Sequence, residues 1–150
     1  MARVWTWQHF SDLSLMDFHN IIALREAVFV VEQACAYQDV DGYDPGAWHL
    51  LGCQAAQLVA TARLLPPGTY HPNEVVLGRV VVARCVRGQG VGYELLDAFI
   101  SFAAERFPDC MQSAGVQAHL VDFYQRVGFH TDGEIYLEDG IEHIRMCRYP

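Results

Sequence analysis

Apolar residues change their spacing several times along the chain, and each change marks an element. Trp5 to Phe10 carries Trp and Phe among its residues and reads as a first strand. Ser11, or Ser14 after it, can cap the next element. From Leu15 the apolar positions Leu15, Phe18, Ile21, Ile22, Leu24, Val28 and Phe29 fall at helical spacing, which predicts a helix to about Val31. Gln33 to Trp48 is rich in Asp, Gly, Tyr and Pro and reads as an irregular surface loop. It is longer than typical connections, and long loops often hold binding sites. His49–Cys53 and Gln57–Leu65 read as a hairpin turning near Gln54, and Pro66-Pro67-Gly68 breaks the pattern. Glu74 to Ala83 is a near-continuous β-branched run, as expected of a strand buried on both faces.

Beyond that strand lies Arg87-Gly88-Gln89-Gly90-Val91-Gly92, then a helix striped by Leu95, Leu96, Phe99, Ile100 and Ala103 and ended by Pro108. Met111–Val116 reads as a short strand. Ala118–Arg126 reads as a short helix closed by Gly128. Strand is expected from Phe129 onward, with a bulge or turn at Asp132-Gly133. Asp139-Gly140 predicts a hairpin between Glu134–Glu138 and Ile141–Arg148. The order β-α-β-β-β-α-β-α-β-β predicts an α/β fold: one sheet of mixed direction flanked by helices.

The 150 residues match one domain, 1–150, and 52% apolar against 19% charged content excludes disorder. No apolar run approaches the ~20 residues of a membrane span. No basic start with an apolar run behind it marks a leader. A soluble, cytoplasmic protein is expected. All ten basic residues are Arg. Without Lys there is no Walker-A loop, no kinase-type strand Lys and no Schiff base. The net charge of -8 disfavours nucleic acid and acidic membranes as partners and favours cationic substrates, although acidity for solubility is the simpler reading. The five Cys, at 35, 53, 85, 110 and 147, lack zinc or redox spacing and read as reduced thiols, mostly in the core. No metal site is expected, since the seven His form no H-x-x-x-H pair.

The chemistry concentrates at residues 87–92. Three glycines between a buried strand and a helix let the backbone approach a ligand closely. The first amides of the helix have no intrahelical partner, and with the helix dipole they form an anion site. Arg87, and Arg84 before it, add positive charge. A phosphate or pyrophosphate group is predicted here; a tight turn that binds nothing is the alternative. A dinucleotide fingerprint is disfavoured, because Tyr93 occupies the third glycine position and the turn comes after a late strand.

Arg87-Gly88-Gln89-Gly90-Val91-Gly92 resembles the Q/R-x-x-G-x-G/A signature of the GCN5-related N-acetyltransferases. Ala118 to Phe129, with its Phe123-Tyr124 and Gly128-Phe129 core, resembles that family's later motif. Val28 to Gln33, the Tyr37-Gln38-Asp39 and Asp41 stretch, and Gly115 to Leu120 resemble its ElaA-type subgroup. The resemblance runs from about Trp7 to Met146. It implies a single N-acetyltransferase domain and direct transfer of an acetyl group from acetyl-CoA to an amine, without an acyl-enzyme. It further implies that strand amides around Val80, Val81 and Val82 bind the pantetheine. The turn formed by Arg87, Gly88, Gln89, Gly90, Val91 and Gly92 would wrap the pyrophosphate. Tyr124 matches the Tyr that protonates the leaving thiolate. For the cofactor to enter, Glu74–Ala83 and Met111–Val116 should splay apart beside the turn.

Each role has a plainer competitor. Tyr124 could simply pack its ring. Glu32, at the end of the helical segment where this family binds acceptors, reads as a general base, a pocket wall or a solvated carboxylate. Cys85 reads as buried at a strand end rather than as a nucleophile. His49, His119 and His143 are candidate bases better read as structural. Asp39, Asp41 and Asp44 lack the rest of a calcium loop and read as turn chemistry. Two function classes stand: an N-acetyltransferase acting on a small-molecule or peptide amine, or a non-catalytic acyl-CoA-binding sensor or partner module. A homodimer is compatible with the sequence but not specified by it.

Overall fold

A computed structural model describes residues 2–150. Its eight strands form one sheet: β1 (Arg3–His9), β2 (Trp48–Gln54), β3 (Gln57–Leu65), β4 (Glu74–Val82), β5 (Met111–Gln117), β6 (His130–Thr131), β7 (Tyr136–Glu138) and β8 (Ile141–Arg148). The spatial order is β1-β2-β3-β4-β5-β8-β6, with β7 also paired to β8. All neighbours are antiparallel except β4 and β5. The mixed direction expected from the element order is therefore present, and helices flank the sheet.

The first helix, α1 (Leu15–Arg25), is capped by Ser14, whose side chain accepts from the Asp17 amide; Ser11 does not cap it. It widens over Glu26–Glu32 into a π-helix, so the predicted helix extends one residue past Val31 with a different hydrogen-bond period. The second helix, α2 (Val91–Arg106), buries Leu95, Leu96, Phe99 and Ala103. Its apolar stripe forms the core with Leu50, Leu64, Val75, Leu77 and Met146 of the sheet. Each such side chain contributes about 1.5–3 kcal/mol on burial. On β2, Leu50 joins this core while the neighbouring His49 lies edge-on to Phe18 of α1. Successive strand residues point to opposite faces, so α1 and α2 cover opposite faces of the sheet.

The parting of β4 and β5 shapes the molecule's centre. They pair in parallel only from Glu74↔Met111 to Leu77↔Ala114, yet continue to Val82 and Gln117. On its other edge β4 carries a bulge: Arg79 and Val80 together oppose Ala62 of β3. Arg79 holds a φ of 50°, in the left-handed region. A bulge bends its strand, and this one comes directly after the last β4–β5 pair. The expected splay beside the glycine turn is thus built by an extra residue in β4.

Several boundaries differ from expectation. The first strand spans Arg3–His9 rather than Trp5–Phe10, and Trp48 opens β2 instead of closing the loop. The hairpin turn uses Ala55 and Ala56, both at positive φ, although no Gly or Asn marks it. Ala118–Arg126 is a 3₁₀ turn (Ala118–Leu120) leading into α3 (Val121–Gln125). Between Phe129 and the Asp139-Gly140 turn, strand reduces to two short pieces, β6 and β7, each paired with β8, which spans Ile141–Arg148 as expected. Of the cysteines only Cys147 is buried. Cys85 is exposed, contrary to expectation: β4 ends at Val82, and the 3₁₀ turn Arg84–Val86 sends Val86 inward instead. The loop of residues 33–48 is not merely a surface segment, since Asp39, Asp44 and Ala47 are buried.

Candidate functional site

The glycine turn leads into α2. Gly88 and Gly90 both sit at φ 77°, and Gly90 occupies the N-cap of α2 without any side-chain cap. A Cβ added at either residue would enter open space, so nothing inside the chain requires these glycines for room. Their backbone conformation and an unobstructed approach to the helix N-terminus are what they supply. Gly92 differs: a Cβ there would lie 2.9 Å from Cζ of Phe123, so its absence lets α2 and α3 close together. On the far side, Arg3 ties the turn to β1 by donating to Glu94 at 2.7 Å and to the Gln89 carbonyl at 3.3 Å.

Positive charge gathers at this helix start. Arg87 Nε donates to the Val82 carbonyl at 3.0 Å, and Nη1 donates to Glu32 at 2.6 Å. This bond first, and the charges of Arg87 and Arg84 after it, hold the Glu32 carboxyl below its usual pKa. The structure therefore joins two residues that the sequence offered for different roles. Arg126 lies alongside, donating to the hydroxyl of Tyr93 in the first turn of α2 at 3.0 Å. Sequence reasoning passed over Arg126, although it sits within the second motif. Ala83 donates to the Val59 carbonyl, so by strand alternation the amide of Val82 faces away from β3, toward the parted side.

Between the parted strands lies a cavity of about 670 Å³. Val80, Val116 and Tyr124 form part of its wall; Glu32, Val81, Val82 and the glycine turn do not. Tyr124 is 5% exposed and packs edge-on against Phe123 and Phe129. Burial alone raises its pKa, so the phenol stays protonated throughout the neutral range.

The far end of the cavity is set by an ion cluster. Arg25 of α1 binds Asp39 at 2.7 Å and Asp44 at 2.8 Å. Arg63 of β3 binds Asp41 at 2.8 Å and Asp44 at 3.2 Å, while Arg79 of the bulge binds Asp39 at 2.8 Å and Asp41 at 3.1 Å. Tyr37 donates to Asp39 at 2.6 Å. The three aspartates are thus counter-ions, and Asp41 also forms the expected turn, accepting from the Tyr43 amide at 3.1 Å. Desolvation pushes the Asp41 carboxyl up, but the Arg63 hydrogen bond, with the Tyr43 amide and the charges of Arg63 and Arg79, outweighs it and brings the pKa to about 2. Three Arg and three Asp cancel, and together they fix the long loop to α1, β3 and the bulge. Of the charged groups on the cavity wall, Asp41, Arg63 and Arg79 belong to this cluster, whereas Glu138 and Asp139 carry no arginine among the described residues.

The histidines separate clearly. His49 is fully buried off the cavity; desolvation lowers its pKa, and Nε2 donates to the Asp44 carbonyl at 3.1 Å. His119 is exposed. His143 lies on the cavity wall. Among the described residues no cluster of His, Cys, Asp or Glu is placed to hold a metal ion, and no helix is long and apolar enough to cross a membrane.

Comparison with known proteins agrees in sequence and in structure. Residues 23–149 match the family described as an acetyltransferase (GNAT) domain. A UPF0039 protein of Synechocystis is 44% identical over 95% of this chain and 92% of its own. Protein ElaA of Escherichia coli is 43% identical over 96% of this chain and 95% of its own, and its crystal structure superposes with a TM-score of 0.92. The structure of an acyl-CoA N-acyltransferase from Pseudomonas aeruginosa gives a TM-score of 0.93 at 42% identity, covering 98% of this chain and 99% of that one.

Proposed function

The chain belongs to the GNAT acetyltransferase family, and from that premise we propose that it moves an acetyl group from acetyl-CoA to the primary amine of a small molecule or peptide. The residues present suit such a thioester substrate. The open, left-handed backbone at Gly88 and Gly90, the free amides that begin α2, and Arg87 would hold the pyrophosphate. The edge of β4 from Val80 to Val82, unpaired on the parted side, would receive the pantetheine amides. Glu32 then serves as the partner that keeps Arg87 in place, since a carboxylate of lowered basicity is a poor proton acceptor.

The observation that carries the reading is Tyr124: a buried phenol on the wall of the cavity at the strand splay. A neutral phenol can donate to sulfur as the C–S bond breaks without placing a charge in the resting site. The acceptor is expected to be cationic before reaction, because the cavity's charges that carry no arginine, Glu138 and Asp139, are both negative.

Tyr124→Phe removes the hydroxyl and keeps the ring. Acetyl-CoA binding is expected to stay within about twofold, while amine-dependent CoA release falls about a hundredfold, the low end of general-acid effects. Full turnover in Tyr124→Phe would reduce Tyr124 to a packing residue. Binding without turnover of any amine, in both proteins, would put the acyl-CoA-binding module in place of the enzyme.

A further inference from the structure

His143 lies in β8, opposite Gln117 of β5, with 8% of its surface exposed. Its Nδ1 stands 2.8 Å from the Ile141 carbonyl. A carbonyl oxygen only accepts, so this contact places the proton of the neutral ring on Nδ1 and leaves the lone pair on Nε2. Nε2 in turn lies 3.5 Å from Oε2 of Glu138. Two acceptors therefore stand side by side on the cavity wall, too far apart to bond each other well and with no donor between them. An ammonium group supplies the missing N–H donors to both.

Resting on the acetyl-transfer reading, we propose that His143 is the general base that deprotonates the acceptor ammonium, and that Glu138 holds that ammonium against it. The ammonium gives one proton to Nε2. The freed nitrogen lone pair attacks the thioester carbonyl, the C–N bond forms and the C–S bond breaks. Sulfur takes its proton from Tyr124, which is reprotonated by the second nitrogen proton. The proton on His143 leaves to water past Glu138, whose side chain is 55% exposed. One proton is released per turnover, as the overall reaction requires.

The surroundings leave His143 free for this task. From β7, Glu138 faces it and Tyr136 stacks on it at 5.9 Å. Along β8 the next residue on the same face, Arg145, is bound to Glu74 and Asp132. From the long loop the cavity receives Tyr37, bound to Asp39, and Asp41, bridged by two arginines; Asp139 closes the hairpin and Tyr124 comes from α3.

The test compares the wild type, His143→Gln and Glu138→Gln across pH, using the fastest alkylamine from a panel of amino acids, polyamines and short peptides. In the wild type kcat/KM falls toward acid pH. In His143→Gln it should drop about a hundredfold at neutral pH, with the remaining rate following the free-amine fraction of the acceptor alone. A weakly basic amine that is already neutral, such as semicarbazide, should lose far less. Glu138→Gln should raise KM for the alkylamine by at least fivefold with kcat nearly kept. Free imidazole should restore part of the rate in His143→Gly. An unchanged rate at neutral pH in His143→Gln, with turnover intact in the wild type, overturns the base assignment alone. Absence of turnover in the wild type, with acetyl-CoA still raising Tm, overturns the acetyl-transfer reading and this inference with it. A ring-nitrogen NMR spectrum of the wild type, taken independently of any acceptor, should show the Nδ1–H tautomer; the Nε2–H tautomer would refute the assignment.

Discussion

Asp44→Asn tests whether the ion cluster holds the far end of the cavity together. Asp44 is 1% exposed and accepts from Arg25 at 2.8 and 3.2 Å and from Arg63 at 3.2 Å. The amide keeps the shape but removes the charge, and it turns an NH₂ toward one guanidinium. A neutral set of three Arg and three Asp becomes a buried set of net charge +1. Removing one partner from a buried ion pair costs about 3–5 kcal/mol, because the remaining charge is left uncompensated. For a chain of this size about 1 kcal/mol shifts Tm by about 2–4 °C, so a fall of about 6–20 °C is expected. The acid side adds a second check. Desolvation pushes the Asp44 carboxyl up, but the Arg25 hydrogen bond and charge, joined by Arg63, leave its folded pKa below the ordinary 3.8. Its stabilisation is thus fully present above that ordinary value and is lost as pH falls through the lowered folded one. Thermal melts monitored by circular dichroism from pH 2 to 7 should show the gap between wild type and Asp44→Asn narrowing at the acid end. A Tm change under about 2 °C at pH 7, or a gap that widens in acid, would refute this account of the cluster.

Other substitutions address the thioester end. Arg87→Ala should weaken acetyl-CoA binding by about 1.5–3 kcal/mol in calorimetry if its guanidinium makes a charged hydrogen bond. Gly90→Val should weaken it more, since it adds a strained left-handed side chain in the open approach to α2; unchanged affinity with an intact fold would remove the turn from the binding site. Glu32→Gln should leave kcat within about threefold, and a drop of the general-base size, ~10²-fold or more, would return Glu32 to the role of proton acceptor. Gly92→Val should lower stability by about 1–3 kcal/mol through overpacking against Phe123, read as a lower midpoint in urea.

The elements that local periodicity specifies were legible from the chain alone. The Leu95–Ala103 stripe, the β-branched run of β4, the Asp139-Gly140 hairpin and the Gly88-Gln89-Gly90 turn each carry their signal within a few residues. Even Gly128 stands at positive φ, at the helix end that its residue type predicts. The family resemblance rests on such contiguous motifs, and the expected strand splay came with it. What pairs across the chain had no local signal. Nothing near Asp39, Asp41 or Asp44 marks them as partners of Arg25, Arg63 and Arg79, which come from a helix and two strands. The bulge at Arg79 is a register shift against β3, visible only once the strands align. Glu32 and Arg87 are 55 residues apart yet in contact. His49 and His143 are the same residue type, alike in sequence. Only packing puts one in the core against Phe18 and the other on the cavity wall with Glu138, because an imidazole's burial and partners are set by chain segments distant in sequence.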